Sequence, residues 1–219
     1  MKGDVIVVEP YHRQAAKIIV SELLEDITAR EQRTIITVAG ESGSGKSETA
    51  QAIQDELIAH HINACTIGQD DYFVLPPQTN DVRRRKDPEW LGPEVEVKMD
   101  LLTLHIKEAV KGKKVLIKPL IDYQNNIITE EKISLVDVKV VIVEGTYTSL
   151  LRPVDKRIFI DRTWEDSLAH RQKRNRGEEV GDPFIEGFLA KEHQIIAEHK
   201  PLADIIITKD FKVIFSKVT

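Results

Sequence analysis

The sequence predicts an α/β fold of the P-loop NTPase type, a central parallel five-stranded sheet flanked by helices, and three observations carry the prediction. Short apolar runs alternate with segments of helical period, the arrangement of a parallel sheet with helical crossovers. One run, Thr34-Ile35-Ile36-Thr37-Val38-Ala39, leads directly into Gly40-Glu41-Ser42-Gly43-Ser44-Gly45-Lys46-Ser47, a complete G-x-x-x-x-G-K-[ST] phosphate-binding loop. A later run, Val140-Val141-Ile142-Val143, ends on Glu144-Gly145, which puts an acid at a strand end beside that loop.

The elements follow in order. Val5-Ile6-Val7-Val8 reads as a short strand-like piece before Pro10. From Tyr11 to Gln32, Ala15, Ile18, Ile19, Leu23, Leu24 and Ile27 recur at helical spacing between charges, predicting an amphipathic helix packed on the domain. After the phosphate loop, Ser47 to Ala59 reads as helix, with Ala50, Ile53, Leu57 and Ile58 on one face. Cys65-Thr66-Ile67 reads as the next strand, and Leu101 to Val110 as a helix closed by Lys111-Gly112-Lys113-Lys114. Val115 to Pro119 and Asn126 to Thr129 flank Asp122-Tyr123-Gln124-Asn125 as a β-hairpin insertion. Val138 to Val143 is apolar throughout, as a strand buried on both faces requires, and Arg157 to Ile160 and Ala203 to Ile207 add two more strands. With no internal repeat and no linker, residues 1–219 are expected to form a single domain: an N-terminal strand and helix extension at 1–33, a core at 34–207 and a lid region at 163–185.

Bulk properties narrow the partners. A net charge of −5 argues against a general nucleic-acid binder, which carries a basic footprint. No apolar run approaches membrane-spanning length, and Met1-Lys2-Gly3-Asp4 opens neither a signal nor a transit peptide, so a cytoplasmic location is expected. A single cysteine, Cys65, excludes an intrachain disulfide and is expected to be a buried structural thiol. A homo-oligomer is compatible with the sequence.

The phosphate loop assigns a nucleoside triphosphate site to Gly40, Ser42, Gly43, Ser44, Gly45, Lys46, Ser47 and Glu48. The glycines admit backbone conformations that a Cβ obstructs, and the following helix aims its first N–H groups at an anion. Lys46 supplies a point charge to the β- and γ-phosphates, and the Ser47 hydroxyl suits Mg²⁺. Past the second strand, Gln69-Asp70-Asp71-Tyr72-Phe73 places carboxylates where open α/β sheets bind ligands, with turn or capping aspartates as the alternative. Glu144 is the strand-end carboxylate for Mg²⁺. The segment from His170 to Gly177 carries Arg171, Arg174 and Arg176 and is expected to act as a lid whose guanidinium forks meet phosphate oxygens, the alternative being a solvated basic helix end. A second basic run, Arg83-Arg84-Arg85-Lys86, is expected to be solvated surface in a proline-flanked loop, although an anionic substrate would find it suitable.

These features, in this order, resemble the uridine kinase and phosphoribulokinase family of small-molecule P-loop kinases, with the nicotinamide riboside kinases as a neighbouring branch. The resemblance spans Thr34 to Ile207. It implies that Asp70 is the general base, that Ser47, Asp70 and Glu144 surround Mg²⁺, and that Arg171, Arg174 and Arg176 are lid arginines, with Arg176 on the nucleotide and Lys46, Arg171 and Arg174 assisting transfer. His170 stands where a paired arginine is common. The substrate half departs from the pattern. Where uridine kinases show a P-x-Y-D-F-x-x-H-like hairpin, this chain reads Pro119-Leu120-Ile121-Asp122-Tyr123-Gln124-Asn125-Asn126, and the aromatic-D-H-P-D segment becomes Trp90-Leu91-Gly92-Pro93-Glu94. Losing a buried polar reader changes specificity sharply.

The resulting expectation is an ATP- (or other NTP-) and Mg²⁺-dependent kinase that phosphorylates a hydroxyl of a small metabolite, a nucleoside first. Tyr72, Trp90, Asp122 and Tyr123 are the acceptor candidates. A sugar, sugar phosphate or other small acceptor is one alternative, with the discriminator that Arg83–Lys86 face the pocket. A non-catalytic nucleotide-binding regulatory protein is the other.

Overall fold

The computed structural model describes residue 2, residues 5–166 and residues 182–216. Its centre is a sheet of β1 (Thr34–Gly40), β2 (Ala64–Gly68), β5 (Val140–Glu144), β6 (Lys156–Asp161) and β7 (Ile205–Thr208), of which β1 and β5 are buried throughout. They run parallel in the spatial order β2-β5-β1-β6-β7, which is the five-stranded sheet expected. A sixth strand, β8 (Val213–Phe215), adds antiparallel to the β7 edge. With three residues, two of them exposed, it has no periodic signal by which a sequence reading finds it.

Period-two alternation along β1 sends Ile36 and Val38 to one face and Ile35 and Ala39 to the other, so each face needs its own helical cover. On the first face lie α1 (Pro10–Ala29), through Ala15, Ala16, Ile19 and Leu23, and α2 (Lys46–Ala59), through Ala50, Ile53 and Leu57. Ile18 and Ile58, both predicted on buried faces, are turned to solvent at 43% and 48% exposure. The second face is covered by α4 (Met99–Val110), through Leu102, Ile106 and Ala109, and by Ile196 of α5 (Pro183–Ala197). No helix among the described residues is long and apolar enough to cross a membrane.

The predicted hairpin is present and longer than expected, β3 (Val115–Asp122) pairing antiparallel with β4 (Ile127–Ser134). Three expectations need correction. Val5 to Val8 form no strand and remain largely exposed. Cys65 is only partly buried, although burial raises its thiol pKa to about 11. The Arg83–Lys86 run is not a loop: it is the last turn of α3 (Pro77–Lys86), which has proline at its first position and the basic residues at its C-terminus, as the helix dipole favours.

The register fixes the site. Val38 and Gly68 both lie beside Glu144, so β1, β2 and β5 deliver the phosphate loop, the Asp70 turn and the Glu144 carboxylate to the same sheet edge.

Candidate active site

The phosphate loop leaves β1 and enters α2 through Gly45, whose φ of +99° is a left-handed conformation that favours glycine. A Cβ there would also lie 3.1 Å from His12 Nε2 and 3.5 Å from Phe211 Cζ. The loop is braced from outside. Lys46 Nζ donates to Glu41 O at 2.9 Å, and the Glu41 carboxylate accepts from Trp164 N and pairs with His193 at 2.6 Å. Ser42 donates through its N–H and its hydroxyl to the two oxygens of Glu192, at 2.9 and 3.1 Å. Glu192 and His193 both belong to α5, so this helix holds the first half of the loop.

Asp70 sits half-buried in the turn Gln69–Tyr72 that follows β2. Glu144 is 8% exposed, and burial first, then the Asp70 charge, raises its pKa to about 7 against the opposing Lys46 charge and a Ser47 hydrogen bond. Two carboxylates, a serine hydroxyl and a lysine thus share one small volume. Gly145, at φ +152°, lets β5 leave Glu144 in close contact with the buried Gln69, since a Cβ there would lie 2.3 Å from the Gln69 Cβ. Among the described residues no three His, Cys, Asp or Glu side chains form a cage for a metal. The donors fit Mg²⁺ nonetheless, because that ion takes one or two carboxylates plus phosphate oxygens and water.

A cavity of about 580 Å³ adjoins the loop and the first turn of α2. Lys46, Ser47, Asp70 and Glu144 line its inner end, and Phe73, Arg84, Glu96, Tyr123, Tyr147 and Phe188 are among the residues of its outer walls. Glu96, fully buried, accepts from Arg84 Nε and Nη2 at 2.8 and 2.5 Å, from Tyr147 Oη at 3.2 Å and from Gly92 N at 3.1 Å. The Arg84 guanidinium lies 5.6 Å from the Phe73 ring centre and 4.1 Å from that of Phe188. Arg85 bonds Asp81 and Asp182 and covers Phe184 at 4.4 Å.

Of the predicted site residues, Ser42, Gly43, Gly45, Lys46, Ser47, Glu48, Asp70, Glu144 and Tyr123 line this cavity. Gly40 and Ser44 lie behind the loop, Ser44 fully buried with its Oγ facing Gly40. Three acceptor candidates point elsewhere. Tyr72 is buried with its hydroxyl 2.8 Å from His105 Nδ1. Trp90 donates to Asn80 Oδ1 at 2.8 Å beneath Arg83, and Asp122 closes its own hairpin turn through Asn125 and Lys2. Those hydrogen bonds, Asn125 N–H first, hold the Asp122 pKa down to about 2. Arg171, Arg174, Arg176 and His170 lie outside the described residues. Sequence reasoning missed Glu96, Tyr147 and Glu192; of the basic run expected at the solvated surface, Arg83, Arg85 and Lys86 are exposed and Arg84 is not. The one available signal was Thr146-Tyr147 directly after the strand-end Glu144-Gly145.

A phosphate loop, paired carboxylates at the strand ends and an acceptor-sized cavity between them define a P-loop kinase of small molecules. The model of the Phosphoribulokinase / Uridine kinase family matches residues 35–207, and the chain belongs to that family, whose kinases use ATP. It is 29% identical over 183 residues to a uridine kinase of Bacillus thuringiensis (strain Al Hakam), covering 79% of this chain and 84% of that one. It is 25% identical over 194 residues to the bifunctional alpha-galactosidase/sucrose kinase AgaSK of Mediterraneibacter gnavus, 84% of this chain but only 21% of that protein's length. A possible uridine kinase from Bacillus stearothermophilus shares the fold at a TM-score of 0.65 and 18% identity, over 89% of this chain and 97% of that structure.

Proposed function

We propose that the protein transfers the γ-phosphoryl group of ATP to a hydroxyl of a small, uncharged, polyhydroxylated acceptor of the sugar class. The observation that carries this reading is the state of the arginines in the cavity wall. Arg84 and Arg85 do face the cavity, which was the condition for a sugar-type acceptor, yet each is already paired with carboxylates. They therefore offer little to an anionic, phosphorylated acceptor. The same guanidinium of Arg84 covers Phe73 and Phe188, two rings on which a nucleobase would otherwise stack. What the wall presents beside these paired groups is Asp70 and Gln78, whose side-chain oxygens can accept from hydroxyl groups.

In this mechanism Lys46 and the loop N–H groups hold the β- and γ-phosphates, and Ser47, Asp70 and Glu144 would hold Mg²⁺, whose charge offsets that of the phosphate oxygens. Asp70 accepts the proton of the attacking hydroxyl. The sucrose kinase among the relatives supports a sugar. A nucleoside is the second reading, favoured by Tyr123 in the cavity wall and by the uridine kinase relatives. The intact set Lys46, Ser47, Asp70 and Glu144 stands against a non-catalytic protein.

A panel of neutral hexoses, disaccharides, sugar phosphates, nucleosides, nicotinamide riboside and pantothenate, with ATP consumption as readout, tests the reading. Turnover with a neutral sugar is the expected result; turnover confined to nucleosides or sugar phosphates overturns it.

A further inference from the structure

We infer that the base of the donor nucleotide stacks on an aromatic platform of Tyr11 and Phe211, flanked by Arg162, so that α1 completes the nucleotide site from outside the family-matched residues 35–207. The inference rests on the kinase reading only in needing a nucleoside triphosphate at the phosphate loop. The platform abuts that loop: His12 Nε2 and Phe211 Cζ are the nearest neighbours of a Cβ built on Gly45. The Tyr11 and Phe211 rings are 4.3 Å apart between centres, His12 meets Phe211 edge-on at 4.8 Å, and Arg162 lies 5.2 Å from the Phe211 ring centre. Tyr11 is 39% exposed.

The position suits the end of the nucleotide that does not react. The reacting end belongs beside Ser47, Asp70 and Glu144, where the acceptor cavity opens, and none of Tyr11, His12, Arg162 or Phe211 lines that cavity. A triphosphate cradled along the loop must leave it over the first turn of α2. Burial, then Glu9, raises the pKa of the Tyr11 phenol, with Arg162 opposing and Glu48 adding, which brings that first turn within electrostatic reach of the phenol. Phe211, carried on a left-handed turn residue (φ +60°), packs its ring on the core below and so presents a fixed aromatic surface beside the phosphate loop, next to an exposed tyrosine and a guanidinium. Aromatic faces with an adjacent guanidinium are how proteins hold a nucleobase without reading its edge. The position is rigid, because Ala15, Ala16 and Ile19 of the same helix are fully buried against α2 and the sheet.

Calorimetric titration of ADP and of inorganic tripolyphosphate separates the base from the phosphates. Tyr11→Leu keeps apolar bulk without the ring. Phe211→Asn removes the ring with a residue that tolerates the left-handed backbone. For each variant, ADP affinity is expected to fall roughly 5- to 150-fold, the value of one stacked base, while tripolyphosphate affinity stays within about twofold. Retained tripolyphosphate binding certifies that the loop is folded. Unchanged ADP affinity in both variants overturns the inference, as does a parallel loss of both ligands, which would mean that the rings merely brace Gly45. Wild-type protein that binds neither ligand overturns the kinase reading along with it, a pattern distinct from the other two.

Discussion

Asp70 and Asp71 are adjacent in sequence and do unrelated work. Asp70 faces the cavity, whereas Asp71, 3% exposed, is turned away from it and accepts from Lys118 Nζ at 2.6 Å and Ile121 N at 3.0 Å. That ion pair pins the β3–β4 hairpin to the Asp70 turn and so sets where Tyr123 stands. Asp70→Asn is expected to lower kcat by about 10²- to 10⁴-fold without loss of melting temperature, because it removes a proton acceptor and a Mg²⁺ carboxylate, relieves the charge beside Glu144 and removes no packing. Asp71→Asn should do the reverse. It leaves Lys118 buried with only the partly exposed Glu131 as ionic partner, and stability should fall on the order of 3 kcal/mol in denaturant titrations. Equal kinetic losses in the two variants would refute this division of labour.

At the scale of elements, legibility followed burial. Strands apolar on both faces, such as Val140 to Val143, and the helices with an apolar stripe, α1, α2 and α4, announce themselves, as does a phosphate loop set between strand and helix. Helix α3 does not, because Asn80 is its one buried residue and it packs through Arg84 and Arg85 laid over phenylalanines of α5 and the Asp70 turn. An element held by guanidinium-ring contacts has no hydrophobic period to read. Of the four acceptor candidates, Tyr123 lines the cavity while Tyr72 and Trp90 do not: motif position placed them near the site, but one residue of rotation decides which side chain faces a cavity.

Arg33 shows the same blindness in a loop. Its guanidinium donates to the carbonyls of Ala109, Lys113, Leu135 and Val138 at 2.6–2.9 Å, joining the end of α4 to the entry of β5. Arg33→Lys cannot span four carbonyls with one ammonium group, and should cost about 2–3 kcal/mol of unfolding free energy while leaving nucleotide affinity unchanged.

Across the whole molecule, the carboxyl ends of the strands gather charge that the fold alone would not choose. Glu144 exemplifies the conflict. Its folded pKa of about 7 lies above the ordinary 4.5, so the folded protein binds that proton more tightly than the unfolded chain does. The sign follows directly. Below about pH 4.5 the group is neutral in both states and costs nothing; as pH rises toward 7 the folded state loses stability; above 7 the full penalty of a buried charge beside Asp70 is present. In metal-free, nucleotide-free protein at pH 8, Glu144→Gln should therefore raise stability on the order of 3 kcal/mol, a melting-temperature gain of roughly 6–12 °C for a chain of this size. At pH 4.5 the gain should vanish. A gain of equal size at both pH values would show that the substitution acts through packing instead. Mg²⁺-dependent turnover should fall in the same variant, because the charge that weakens the empty fold is the charge that holds the cation.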